Sequence, residues 1–118
     1  MVFRKPKGRL ADLIRVDNCV LRQVPACDYL VVDWVGRKHF VELKGKHAEE
    51  GLKQIGATIP EFLERGSEEE IWCFVICSRI VTAASPGMRS EEARIRKKWK
   101  RAKIIWRSKT YEHILKEA

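Results

Sequence analysis

The segment spanning residues 25–45 constrains the fold most strongly, because it predicts two β-strands joined by a tight turn. Residues 28–35 are rich in Tyr, Val and Trp, which favour extended structure. Gly36 can form the turn, and residues 39–44 form the second strand before Gly45. The segment therefore predicts a β-hairpin with an acidic residue where the first strand begins and a Glu-x-Lys sequence where the second strand ends.

The spacing of the charged residues decides which of them can meet on the hairpin. Glu42 and Lys44 are two residues apart in a strand, so their side chains point to the same face of the sheet. A three-residue loop over residues 35–37 would pair Asp28 with Lys44 and bring Asp28 to that face, whereas a two-residue turn would reverse it. We expect the three-residue loop, and we interpret Asp33, which lies near the turn, as a surface residue.

Two carboxylates and a lysine at one sheet edge are suited to Mg²⁺, with Mn²⁺ as a substitute. Mg²⁺ prefers oxygen ligands and keeps several waters, so Asp28 and Glu42 would be its protein ligands. Lys44 would hold or help deprotonate the attacking water. Asp12 or Asp17 is an alternative extra ligand. The opposing interpretation is that Glu42 and Lys44 are ordinary solvent-facing residues of an edge strand.

This arrangement resembles the PD-(D/E)XK nuclease superfamily, whose pattern is an acid at one strand start, a hairpin, and (Asp/Glu)-x-Lys on the next strand. Asp28, Glu42 and Lys44 match that pattern, although two residues here interrupt the usual Pro-Asp dipeptide. The resemblance covers roughly residues 17–106 and is to small members such as archaeal Holliday-junction resolvases and VRR-NUC type domains. It implies a Mg-dependent endodeoxyribonuclease in which the main-chain carbonyl of Leu43 is a third metal ligand.

The whole chain predicts one α/β domain over residues 1–118, with a mixed sheet of about five strands flanked by helices. The first half of the chain is predicted to contain a basic, poorly ordered arm (1–8), a short amphipathic helix around Leu10, Leu13 and Ile14, a strand (19–23) and the hairpin. A helix from His47, divided at Pro60, and a central strand (71–77) follow. The remainder is predicted to contain a loop at Pro86-Gly87, a helix from an N-cap at Ser90 to about Ala102, a strand (104–106) and a terminal helix (111–116). A three-strand meander followed by helix, strand, helix and strand is the order of the restriction-endonuclease-like fold that the resemblance implies.

The charge distribution predicts a polyanionic partner. The chain carries a net charge of +8, and residues 94–109 are rich in Lys and Arg without any acid. Clustered positive charge is typical of nucleic-acid binders, although a solvated helix face is the simpler alternative. The candidate nucleic-acid contacts are Lys46, His47, Lys53 and Gln54 beside the hairpin and Arg94, Lys97, Lys98 and Arg101 in the basic run. Ile95 and Trp99 are expected to point inward, so Lys98 and Arg101 are the expected outward pair.

Composition limits the other classes of protein. The apolar runs are too short to cross a bilayer and no signal peptide is evident, so we expect a cytoplasmic protein without a membrane partner. Its four cysteines are expected to be reduced. A single small domain offers limited surface for gripping a DNA duplex, so a homodimer is one expected assembly. The alternatives to a DNA nuclease are a non-catalytic nucleic-acid-binding module of the same fold and a ribonuclease.

Overall fold

The computed structural model is a mixed α/β fold and describes residues 2–5, 7–16, 27–44, 48–77, 86–108 and 112–114. Its elements in chain order are β1 (Val2–Arg4), β2 (Asp12–Arg15), β3 (Tyr29–Val32), β4 (Lys38–Lys44), α1 (Ala48–Thr58), a 3-10 turn (Ile59–Glu61), β5 (Ile71–Cys77), α2 (Pro86–Lys98), β6 (Ala102–Ser108) and β7 (Glu112–Ile114).

A five-stranded mixed sheet forms the centre of the fold, with the strand order β2-β3-β4-β5-β6. β2, β3 and β4 form an antiparallel meander, and β4, β5 and β6 are parallel neighbours. Parallel strands need a long crossover connection, which α1 and α2 provide. The predicted five-stranded mixed sheet is confirmed. Its first strand is β2, whereas the predicted strand at 19–23 lies outside the described residues.

Different elements pack against the two faces of the sheet. On one face, α1 and α2 bury Leu52 and Ile95 against Phe40 of β4. On the other face, Val41 of β4 lies in a smaller cluster against which Phe3 of β1 packs. Successive strand residues point to opposite faces, which explains why neighbouring residues of β4 enter different clusters. β5 is buried along nearly its whole length, as predicted for a central strand.

The two chain ends differ from the prediction. The arm expected to be poorly ordered contains β1, and the expected terminal helix contains β7, which pairs with β1 in parallel from Val2 opposite Glu112 to Arg4 opposite Ile114. Both predictions were wrong. The physical reason is that Phe3 finds an apolar site on the sheet, where its ring packs edge-to-face against Phe74 at 5.6 Å.

The segment around residues 10–14 was also predicted wrongly, because it forms β2 instead of an amphipathic helix. β2 pairs with β3 from Asp12 opposite Val32 to Arg15 opposite Tyr29. The helical spacing of its apolar residues is accidental, since Leu13 is 69% exposed. Pairing with β3 satisfies the main-chain groups on the side of β2 that faces the sheet, and that outweighs a weak helical pattern.

The boundaries of α2 moved relative to the prediction. Pro86 and Gly87 were expected in a loop, but they begin the helix, and Ser90 lies inside it instead of capping it. Proline is favourable at a first helical position, because the N–H it lacks has no intrahelical partner there. The helix ends at Lys98, and Ala102 already belongs to β6.

The division of α1 at its proline is confirmed. The helix ends at Thr58, and a 3-10 turn with Pro60 in its first residues follows. α1 has 11 residues and α2 has 13. Neither these helices nor any other helix in the described part of the chain is long and apolar enough to span a membrane.

A buried histidine on the β1 side of the sheet makes the stability of the fold depend on pH. His39 is 1% exposed, stacks on Trp72 at 4.7 Å between ring centroids, and places Nδ1 3.1 Å from the Val31 carbonyl. Burial lowers the pKa of His39 from its ordinary value of 6.5. The unfolded chain therefore takes up a proton more readily than the folded chain as the pH falls. We expect the free energy of unfolding to decrease as the pH falls from about 7.5 to about 5.

Denaturant unfolding at several pH values measures this effect, with His39→Phe as the comparison. The variant should lose less stability than the wild type over the same pH range, because its aromatic ring does not titrate. An identical decrease in both proteins would show that His39 is not the group responsible.

Candidate active site

The hairpin turn lies one residue earlier than predicted, and Asp33 organises it. β3 ends at Val32 and β4 begins at Lys38, and the N–H of Asp33 donates to the Arg37 carbonyl at 3.1 Å, so a three-residue loop lies at 34–36 instead of the predicted 35–37. The Oδ1 atom of Asp33 accepts hydrogen bonds from the main-chain N–H groups of Val35 at 3.1 Å and Arg37 at 2.8 Å. Asp33 is 5% exposed, so its interpretation as a surface residue was also wrong. It serves the turn, at the end of the hairpin away from the candidate site.

The register of the hairpin brings the two candidate carboxylates to one face. Tyr29, the first residue of β3, pairs with Val41. In the same register, Asp28 lies opposite Glu42. The predicted register, with Asp28 opposite Lys44, was wrong by two residues. A shift of two residues preserves the face to which side chains point. Asp28 and Glu42 therefore belong to the face that α1 and α2 cover.

Asp28 is held in place by both neighbouring strands. Its Oδ2 atom accepts the main-chain N–H of Leu43 at 2.9 Å, across the hairpin. Its main-chain carbonyl accepts the N–H of Val16 at 2.9 Å, just after β2. These two hydrogen bonds fix the Asp28 carboxylate beside Leu43.

Glu42 is a buried acid in the middle of the sheet. It is 1% exposed and pairs with Val75 of β5. The two candidate carboxylates also act together on the thiol of Cys27. Burial raises the pKa of Cys27 to about 12, and the negative charges of Glu42 and Asp28 act in the same direction. The thiol of Cys27 therefore stays protonated at neutral pH.

Thr58 positions the start of β3, a role that sequence reasoning missed. It is fully buried, and its Oγ1 atom accepts the N–H of Cys27 at 2.8 Å while donating to the carbonyl of Gln54 at 2.7 Å. The end of α1 is thereby tied to the residue before Asp28. The available signal was a threonine on the buried side of the helix, four residues after Gln54. Gln54 itself is half-buried, and its Oε1 atom has no hydrogen-bond partner within the described residues.

The donor set at this edge suits a hard cation. No group of three or more His, Cys, Asp or Glu side chains within the described residues could hold a metal ion. Two carboxylates, from Asp28 and Glu42, together with a main-chain carbonyl such as that of Leu43, make an all-oxygen set, and Mg²⁺ needs only one or two carboxylates from the protein. Asp12 pairs with Val32 at the opposite end of the hairpin and is not an extra ligand.

Several predicted residues fall outside the described part of the chain. They are Asp17, the side chain of Lys44, Lys46 and His47. The main chain of Lys44 ends β4 opposite Cys77.

The basic residues do not form one surface. Lys53 of α1 and both Arg94 and Lys98 of α2 line the same groove. Lys97 is exposed outside that lining, whereas Arg101 follows the end of α2 and lies 3.3 Å from Glu70. Ile95 and Trp99 are buried, as predicted.

Comparison of the chain with known protein families, with curated proteins and with solved structures found no match. The fold and the site define a mixed α/β protein with a carboxylate pair at the end of a sheet hairpin, one acid buried and the other bonded to the facing strand.

Proposed function

We propose that this chain is a metal-dependent nuclease that hydrolyses phosphodiester bonds in DNA, with a restriction-endonuclease-like sheet of the PD-(D/E)XK superfamily. One observation carries the proposal. The carboxylate of Asp28 accepts the N–H of Leu43, and the hairpin register sets Asp28 opposite the buried Glu42. The same sequence segment then continues with Lys44, which completes the set of groups that such hydrolysis needs.

Each residue has a separate role in the proposed reaction. Asp28 and Glu42, with the carbonyl of Leu43, would hold Mg²⁺, which when bound acts as a Lewis acid and lowers the pKa of a water. Lys44 would orient the attacking water and offset negative charge on the scissile phosphate. The hydrogen bond from Leu43 keeps the Asp28 carboxylate oriented before substrate arrives. Hydrolysis by water requires no covalent intermediate with the protein.

The charge of the chain supports a nucleic acid as the substrate. A net charge of +8 attracts a phosphodiester backbone, and exposed cations lie on both helices. Contacts to phosphates supply affinity without sequence information. A homodimer would present two such surfaces to one duplex.

Cleavage of four labelled substrates tests the proposed function: duplex DNA, single-stranded DNA, branched DNA and RNA. We expect DNA to be cleaved with Mg²⁺ or Mn²⁺ and to remain intact when a chelator is added, because the water is activated at the carboxylate pair. Cleavage that a chelator leaves unchanged would refute the metal mechanism. Cleavage of RNA alone would identify a ribonuclease, and binding without cleavage of any substrate would identify a non-catalytic module.

A further inference from the structure

α1 and α2 lie side by side and leave a groove of about 370 Å³ between them on the outer side of the helix layer. Small residues of α1 form one wall, at Gly56 and Ala57, and Ile95 of α2 forms part of the other. A Cβ atom added at Gly56 would lie 3.5 Å from Ile95, which shows how closely the helices approach there. The groove is therefore narrow and has an apolar base.

Positive charge lines both walls of this groove. Lys53 of α1 and Arg94 of α2 are 56% and 67% exposed at their side chains. Lys98 follows Arg94 by four residues and so lies on the same side of α2, one turn further along. Lys98 makes no ion pair with the described residues. Cations on both walls of a groove suit an elongated anion.

One acid, Glu91, also lines the groove, and the three cations Lys53, Arg94 and Lys98 leave it with a net positive charge. Lys53 lies 3.8 Å from Glu49, and Arg94 lies 3.4 Å from Glu91. The Lys53–Glu49 pair is exposed on both sides and contributes little stability, so a phosphate can replace Glu49 as the partner of Lys53. The Glu91 side chain is only 9% exposed, so Arg94 keeps that partner and meets a phosphate with its other N–H groups. Lys98 remains as an additional positive charge.

Trp99, which directly follows α2, is the aromatic residue of the groove. Trp99 lines the groove but is only 4% exposed, so its ring face is not available for stacking against a base. Its indole N–H is buried and has no hydrogen-bond partner among the residues described. That N–H is not accessible from the groove, so the cations on its walls supply the contacts to phosphates.

We infer that the groove between α1 and α2 binds a phosphodiester backbone and is a second nucleic-acid contact, apart from the edge that carries Asp28 and Glu42. The inference rests on the proposed function in taking nucleic acid as the partner. It separates the candidate cations into two sets. Lys53, Arg94 and Lys98 contact phosphates, whereas Lys97 and Arg101 do not. Because no base is read, the groove binds all sequences alike.

Two charge-matched double variants test this inference. Lys53→Gln/Lys98→Gln removes two positive charges from the groove, and Lys97→Gln/Lys100→Gln removes two from exposed positions outside it. Binding is measured by fluorescence anisotropy on labelled duplex and single-stranded DNA of equal length, over a series of salt concentrations. Thermal unfolding confirms that both variants are folded.

We expect the groove variant to bind duplex about thirtyfold more weakly than the wild type near 0.15 M salt, with a log–log salt slope reduced by about 1.8. For a single strand the slope should fall by about 1.4. The control variant should stay close to the wild type on both substrates. Equal weakening of the two variants, or a groove variant that binds like the wild type, would overturn the inference. A wild type that binds DNA through the groove without cleaving it would instead refute the proposed function and leave the groove in place.

Discussion

Glu42→Gln should abolish DNA cleavage while leaving DNA binding nearly unchanged. The substitution keeps the size of the side chain and removes the negative charge that would hold the metal ion. We expect cleavage to fall by at least about 10²–10³-fold, the usual cost of losing one preorganised electrostatic group in an active site. Asp28→Asn and Lys44→Met should have effects of the same kind. Cleavage of labelled DNA under single-turnover conditions measures the loss.

The matched control for this prediction is Glu61→Gln, which makes the same chemical change at an exposed position beyond α1. It should cleave DNA like the wild type. Binding should persist in all these variants, because the cations of the groove are separate from the carboxylates. If Glu42→Gln unfolds like the wild type and still cleaves DNA fully, Glu42 has no role in the mechanism.

Phe74→Ala should destabilise the fold by about 3–5 kcal/mol, the range for deleting a buried phenylalanine ring. Phe74 is fully buried in β5 and contacts Phe3 of β1, and it also stacks near His39 at 6.3 Å. Its removal would leave a cavity beneath β1 as well as lost apolar contact. Denaturant unfolding at neutral pH measures the change in the free energy of unfolding.

Leu13→Ala provides the comparison, because Leu13 is 69% exposed and its truncation should change stability by no more than about 0.5 kcal/mol. Phe74→Leu should fall between the two, since it retains part of the buried volume. A loss below about 1 kcal/mol in Phe74→Ala would mean that β1 does not pack on this face of the sheet.

The hairpin could be predicted from the sequence because its information is local. The β-branched and aromatic residues of β3 and β4 specify strands, and Gly36, with a φ of 87°, marks the turn. The position of the turn could not be predicted, because the side chain of Asp33 binds two main-chain N–H groups within it. The error preserved the alternation of faces, so the expectation that Asp28 and Glu42 share a face survived it.

Contacts between distant parts of the chain were not visible in the sequence. β1 and β7 pair across almost the whole length of the chain, and each is too short to show a strand pattern. The bond from Cys27 to Thr58 joins residues 31 positions apart, which only the packing of α1 on the sheet brings together. Likewise, the cations of α1 and α2 were predicted separately, and their common groove follows from the approach of Gly56 to Ile95.

Binding of Mn²⁺ tests the carboxylate pair most directly, because it does not depend on the substrate. Electron paramagnetic resonance of the free ion would be recorded during titration of the wild type, of Asp28→Asn/Glu42→Gln, and of Glu61→Gln/Glu64→Gln, which removes two exposed acids. We predict that the wild type and the exposed-acid variant bind Mn²⁺ at a site from which Mg²⁺ displaces it. Asp28→Asn/Glu42→Gln should lack this site. Equal Mn²⁺ binding by the wild type and Asp28→Asn/Glu42→Gln would contradict a metal site at Asp28 and Glu42.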